Sequence, residues 1–96
     1  MTAPFDIQHD ERAHRFQTVV DGQRCVLVYS LGGPGGMVMT IDHTGVPAAV
    51  GGRGIASALV EAAFALARQR GWKVEPACSY SAVWAQRHPD VADLLA

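Results

Sequence analysis

Gly51-Gly52-Arg53-Gly54-Ile55-Ala56-Ser57 opens the longest helical pattern in the chain, which runs to Arg70 and stops at Gly71. Ile55, Leu59, Ala62, Ala63 and Leu66 recur at helical spacing, and the polar residues are few: Ser57, Glu61, Arg68, Gln69 and Arg70. Such a helix lies flat on a sheet, and its alanines let it sit close. Gly71 stands where a helix ends in a left-handed residue. At the other end, glycines let the backbone turn tightly and let an anion approach without a Cβ in the way. The first helical turn offers unpaired N–H groups and the positive end of the dipole. The stretch thus reads as a sheet-packed helix whose start can hold a phosphate. From spacing alone, an ordinary flexible loop fits equally well. It is not a Walker A loop, because no Gly-Lys-Ser/Thr follows, and it fails G-x-G-x-x-G because Ser57 replaces the third glycine.

Working outward, Arg15 to Val20 has the composition of a strand, and Asp21-Gly22 is a two-residue hairpin signal. Gln23 to Ser30 follows as a second strand, with Cys25, Leu27 and Tyr29 on one face and Val26 and Val28 on the other. Apolar residues on both faces predict a central strand covered on both sides. Leu31 to Gly36 holds four glycines and Pro34 and reads as a turn. Met37 to His43 is a third strand, and Thr44 to Val50 an irregular stretch containing Pro47. Beyond the long helix, Trp72 to Ala77 is a fourth strand, with Pro76 marking where pairing stops. Ser79 to about Arg87 reads as a second helix with Tyr80, Val83 and Trp84 buried, and Val91, Leu94 and Leu95 as a last turn. The order β-β-β-α-β-α predicts an α/β sandwich: an antiparallel meander, then a crossover helix to a strand parallel to the third.

Ninety-six residues, 49% apolar and 18% charged, fit one globular domain. We expect it over residues 5–96, after a loose lead-in at Met1–Pro4. The net charge is -1 with scattered basic residues, so no nucleic-acid partner is expected. No apolar run approaches the roughly 20 residues that span a bilayer, and residues Met1 to Asp10 lack a secretory pattern. Two cysteines do not make a disulfide framework, and a cytoplasmic setting is expected.

Cys78 sits in Pro76-Ala77-Cys78-Ser79-Tyr80, between a strand and a helix. A thiol at a helix N-terminus has its thiolate favoured by the dipole, although a small buried hydrophobe is the plainer reading. Cys25, mid-strand, reads as core. His43 ends the third strand, where it would face both the glycine turn and the Cys78 strand and could take a proton from an amine or thiol. The plainer reading is a loop hydrogen bond. His9 and His14 read as surface and His88 as a helix C-terminal cap. No His/Cys/Asp/Glu cluster has metal spacing, and no serine sits in a nucleophile elbow.

Taken together, His43-Thr44-Gly45-Val46-Pro47, Gly52-Arg53-Gly54-Ile55-Ala56, Pro76-Ala77-Cys78-Ser79-Tyr80 and His88-Pro89 resemble the small, single-domain acetyltransferase-like branch of the GNAT superfamily. The resemblance covers Phe16 to Leu95. It implies a shortened GNAT-like fold that binds acetyl-CoA (CoA) and transfers its acetyl group to an amine. The family's pyrophosphate pattern maps onto Gly51 to Ala56, departing at Gly51 where Gln or Arg is usual. The implied cofactor-binding residues are Thr44, Val46, Gly52, Arg53, Gly54, Ile55, Ala56, Ser57 and Trp84. Cys78 is the implied catalytic residue, with His43 as a base and Tyr80 as the alternative acid, since Trp84 stands where a tyrosine hydroxyl would otherwise serve. The expected acceptor is a small molecule or a protein amine, and the chain is expected to be a monomer or weak homodimer. Two other classes remain: a non-catalytic acyl-CoA-binding or protein-interaction module, and, last, a redox sensor built on Cys78.

Overall fold

Asp21 and Gly22 have φ of +49° and +74°, the left-handed pair that a tight hairpin turn requires. They join two of the strands in the computed structural model, which describes residues 5–96. The lead-in expected over Met1–Pro4 lies outside the described residues. In chain order the elements are β1 (Gln8–Asp10), β2 (Arg15–Val20), β3 (Gln23–Gly32), β4 (Val38–Gly45), α1 (Ile55–Arg70), β5 (Lys73–Pro76) and α2 (Ser79–Gln86). Short 3-10 turns occupy Pro34–Gly36, Ala48–Val50 and Pro89–Leu94.

The strands form one sheet in the order β1-β2-β3-β4-β5. The first four pair antiparallel and β4 pairs parallel to β5. α1 is therefore the crossover connection between β4 and β5, as the helical pattern predicts. It buries Ile55, Leu59, Val60, Ala63, Phe64 and Ala67 against Cys25, Leu27 and Tyr29 of β3 and Met39 and Ile41 of β4. Ala62 and Leu66, expected on that seam, lie at its half-buried flank. Gly71 closes α1 at φ +73°, with Trp72 N–H donating back to Ala67 C=O at 2.9 Å. Beyond β5, Leu95 forms an isolated bridge with Val74, and Ala96 N–H donates to Val74 C=O at 2.9 Å.

Three expectations change. β3 is central, but only one of its faces is covered: Cys25, Leu27 and Tyr29 are buried while Val26 and Val28 are half-exposed. Among the described residues no helix lies on the second face, because α2 packs beside α1, with Trp84 stacked on Phe64 at 5.2 Å between ring centroids. Second, α2 is rotated from its expected phase. Tyr80 and Val83 are 43% and 45% exposed; Trp84 faces inward as expected, joined by Ser81 and Ala85. Third, His9 and His14 are not plain surface residues. His9 stacks on Phe16 at 4.4 Å and shares a 2.6 Å hydrogen bond with the Tyr29 hydroxyl, and His14 stacks on Tyr29 at 5.1 Å.

One irregularity in β4 governs the site. Val28 pairs with His43 and Tyr29 with Ile41, so Asp42 is an extra residue, a β-bulge. Directly paired residues share a face. Thr44, opposite buried Leu27, therefore lies on the helix side, and His43, opposite Val28, on the uncovered side.

Candidate active site

Pro76, without an N–H, makes the last pairing of β5, opposite Ile41. Ala77 and Cys78 then both donate their N–H groups to Ile41 C=O, at 3.1 and 3.0 Å. The chain turns away into α2 while β4 continues through Asp42 to Gly45. The two parallel strands thus part at their C-terminal ends. The crossover topology brings the start of α1 to the same end, where sites in such sheets form.

Cys78 occupies this divergence as the N-cap of α2, with extended φ/ψ. Its Sγ accepts from Ser81 N–H at 3.3 Å and lies 3.0 Å from Ser81 Oγ. From across the gap, Thr44 Oγ1 comes within 3.4 Å of Sγ. Burial pushes the thiol up, but the Ser81 and Thr44 hydroxyls and the N–H groups of Ser81 and Tyr80 outweigh it, and Cys78 sits below the ordinary thiol range. Cys25 is the contrast: fully buried, its thiol is pushed up by burial alone.

At the other side of the site, Gly52 and Gly54 have φ of +76° and +82°, and a Cβ on either would meet nothing within 4 Å. Gly54 is the N-cap of α1 without a side-chain cap. The first N–H to find a partner in the helix is that of Ala58, which donates to Gly54 C=O at 3.1 Å. The N–H groups of Ile55, Ala56 and Ser57 are the unpaired donors of the first turn. The buried side chains of Val50 and Ile55 anchor this loop, so Ile55 offers only its backbone. Arg53 bonds the Asp21 carboxylate at 2.6 Å, tying the loop to the β2–β3 hairpin. Open space over left-handed glycines beside free N–H groups and a guanidinium suits a pyrophosphate.

Of the remaining candidates, Thr44 and Val46 lie half-buried at the end of β4 and just beyond it. Trp84 is nearly buried, donates Nε1–H to Ser57 Oγ at 2.9 Å and stacks on His88 at 3.8 Å. It holds α2 to the first turn of α1. His88 Nδ1 lies 2.7 Å from Trp84 C=O and caps α2. Tyr80 borders a recess of about 170 Å³ with Ser57, Val83, Trp84, Arg87 and His88. A larger recess, about 250 Å³, lies between α1, α2 and the Pro89–Leu94 turn, with Trp84 as its one candidate site residue. His43 is exposed on the uncovered sheet face, where its Nε2 would be 3.0 Å from a Cβ on Gly45. The structure brings Cys78 and Thr44 together and leaves His43 on the opposite face. Ser81 is the residue that sequence reading missed. Its signal is the three-residue spacing from Cys78 at a helix start, the spacing of a reciprocal cap.

This architecture, a meander ending in a parallel pair that parts around a crossover helix start, is a GNAT-like fold. The chain belongs to the GCN5-related N-acetyl-transferase family, which its residues 15–94 match. It is similar to Protein NATD1 of Homo sapiens, at 32% identity over 88 residues, covering 90% of this chain and 76% of that protein. Protein NATD1 of Gallus gallus is 31% identical, with 90% and 78% covered. The fold matches the NMR solution structure of a GCN5-like protein from Staphylococcus aureus at a TM-score of 0.74, with 22% identity, covering 99% of this chain and 91% of that one. The chain is thus an N-acetyltransferase-like protein of known fold, and no helix among the described residues is long and apolar enough to cross a membrane.

Proposed function

We propose that the protein transfers an acetyl group from acetyl-CoA to an amine, with the reacting carbonyl held between β4 and α2. The observation that carries this reading is Cys78. Its thiol is held below the ordinary range at the point where two parallel strands part, at the same end of the sheet as an uncapped helix start. When bound, acetyl-CoA supplies an acyl group activated as a thioester.

The residues of the chain divide the remaining tasks. N–H groups of Gly54 to Ser57 and the Arg53 guanidinium would hold the pyrophosphate, and the β4 backbone near Thr44 and Val46 would line the arm. Cys78 Sγ is the nucleophile of a two-step route, carrying the acyl group between donor and amine. In a direct route the amine attacks by itself and Cys78 only lines the gap. His43, on the face opposite Cys78, would serve as base only for an amine that arrives from the uncovered sheet face. Tyr80 is the acid candidate on the α2 side. The uncovered face favours one further reading: among the described residues nothing there encloses an acceptor, as suits an acyl-CoA-binding module that reports to a partner. A protein lysine, an N-terminus or a small polyamine would each fit so open a side.

Two measurements test the proposal. Thermal unfolding with acetyl-CoA at 100 times Kd should gain about 2.7 kcal/mol, a shift of roughly 10–20 °C for a domain of this size. No shift at millimolar ligand refutes the donor site. Turnover of a panel of amines by Cys78→Ala separates the routes: near-complete loss supports the two-step route, and full retention leaves the direct one. Binding without transfer to any amine supports the module.

A further inference from the structure

Ser81 has no exposed surface, yet it is polar. A buried hydroxyl is costly unless it is bonded, and both hydrogen bonds of the Ser81 hydroxyl go to one residue. Its Oγ donates to Cys78 C=O at 2.9 Å, and it lies 3.0 Å from Cys78 Sγ, whose S–H donates to it. Its N–H points at the same sulfur, at 3.3 Å. The N–H contact is the ordinary cap of the helix start, and the bond to the carbonyl already satisfies the buried hydroxyl; the contact that neither role requires is the 3.0 Å approach of Sγ to Oγ.

We propose that Ser81 is a positioning residue that orients Cys78 Sγ and stabilises it as the thiolate, by a hydroxyl that can serve either protonation state. In the thiol state the proton of Sγ lies toward Ser81 Oγ, and the Ser81 proton lies toward Cys78 C=O. When Sγ loses its proton to solvent, it becomes an acceptor only. The Ser81 O–H then rotates from the carbonyl to the sulfur, and Cys78 C=O keeps the helical bond from Ala82 N–H at 3.1 Å. No heavy atom has to move. Thr44 Oγ1, the longer contact at 3.4 Å, reaches the sulfur from the other strand. The ionisable side chains on the elements that meet here are Tyr80 on α2, Asp42 and His43 on β4, Lys73 and Glu75 on β5, and Glu61, Arg68 and Arg70 on α1. None of them bonds Sγ, and His43 lies on the other face. The thiolate is therefore held by neutral donors, and a hydrogen bond to an ionised group is about twice as strong as one between neutral groups.

The catalytic consequence rests on the proposed role of Cys78, but the ionisation can be read without donor or acceptor. We would measure the rate of Cys78 alkylation by iodoacetamide against pH, locating the label by mass spectrometry; Cys25, fully buried, does not compete. Ser81→Ala should move the midpoint to higher pH and lower the rate at pH 7 about tenfold, as expected for losing one charge-assisted hydrogen bond. The plateau rate at high pH, which reports access, should not fall. Thr44→Val should move the midpoint less. Ser81→Thr, which keeps the hydroxyl, should restore it, and this separates the hydroxyl from packing. A Ser81→Ala protein that is folded by circular dichroism and titrates like the wild type overturns the proposal and leaves the acetyl-CoA site untouched. Conversely, Cys78→Ala with full turnover overturns the two-step route without changing the alkylation result. In turnover, Ser81→Ala should lower kcat while the thermal shift with acetyl-CoA stays at the wild-type value.

Discussion

Gly54 and Gly71 stand at opposite ends of α1 in nearly the same backbone conformation, φ +82°, ψ 14° and φ +73°, ψ 26°. A Cβ on either would meet nothing within 4 Å. Alanine at each site therefore meets the same single cost, the left-handed conformation, at about 1–2 kcal/mol. Reduced freedom of the unfolded chain offsets about half a kcal/mol of it. Both variants should lose about 1 kcal/mol by urea unfolding, or roughly 4–8 °C in Tm. They should differ in ligand response. At Gly54 the empty space is where an anion would approach the first-turn N–H groups, and a methyl there should weaken acetyl-CoA about tenfold. At a concentration of 100 times the wild-type Kd, that cuts the ligand's stabilisation from about 2.7 to about 1.4 kcal/mol. Gly71→Ala should keep the whole shift. An undiminished ligand shift in Gly54→Ala would refute the assignment of that space to the pyrophosphate. Unequal losses of stability without ligand would refute the strain estimate.

Arg53 and Asp21 are both well exposed, so Arg53→Ala should change unfolding free energy by less than about 1 kcal/mol. Its acetyl-CoA Kd should rise and depend less on salt, as calorimetry at two ionic strengths would show. Trp84→Phe removes the donor to Ser57 Oγ and part of the stacked ring, and should cost roughly 1–3 kcal/mol in urea; a loss within error would mean that Ser57 is held by something else. Burial, helped by Arg70 and opposed by Glu11 and Asp10, depresses His9 below its ordinary value of 6.5. The unfolded chain therefore binds the proton more tightly, and stability should fall as pH drops below about 6.5 toward the depressed folded value. His9→Asn should flatten that part of the urea midpoint against pH, and an unchanged slope would remove His9 as its source.

The elements readable from sequence are those whose apolar spacing outweighs everything else nearby. α1 and the β2–β3 hairpin carry unbroken periodicity and the turn residues that end it. β1 carried no such signal, because its inward residue is a histidine whose ring buries itself by stacking on Phe16. The phase of α2 departs from its apolar pattern for a related reason. Trp84 faces inward as expected, but Tyr80 and Val83, which look like core residues, give way to Ser81 and Ala85, once Cys78 fixes the helix start. At the site, the glycine loop and Cys78 were legible as local chemistry. The partner across the gap was not. Unbroken alternation from Met39 and Ile41 would have carried His43 to the helix side. One extra residue, Asp42, shifts the alternation and gives that side to Thr44. A bulge leaves no composition signal, because it concerns register between strands and not the preference of any one residue.

The lengths of the outermost strands bear on how the protein behaves at high concentration. β1 has three residues and β5 four, and beyond β5 the Val74 C=O is already taken by Ala96 N–H. Exposed strand edges are templates for cross-chain association, and short, polar or covered edges deter it. Gln8 and Asp10 face outward on β1, and Lys73 and Glu75 on β5. A sheet that the described residues leave open on one face thus offers a neighbouring copy little ladder to extend at either margin.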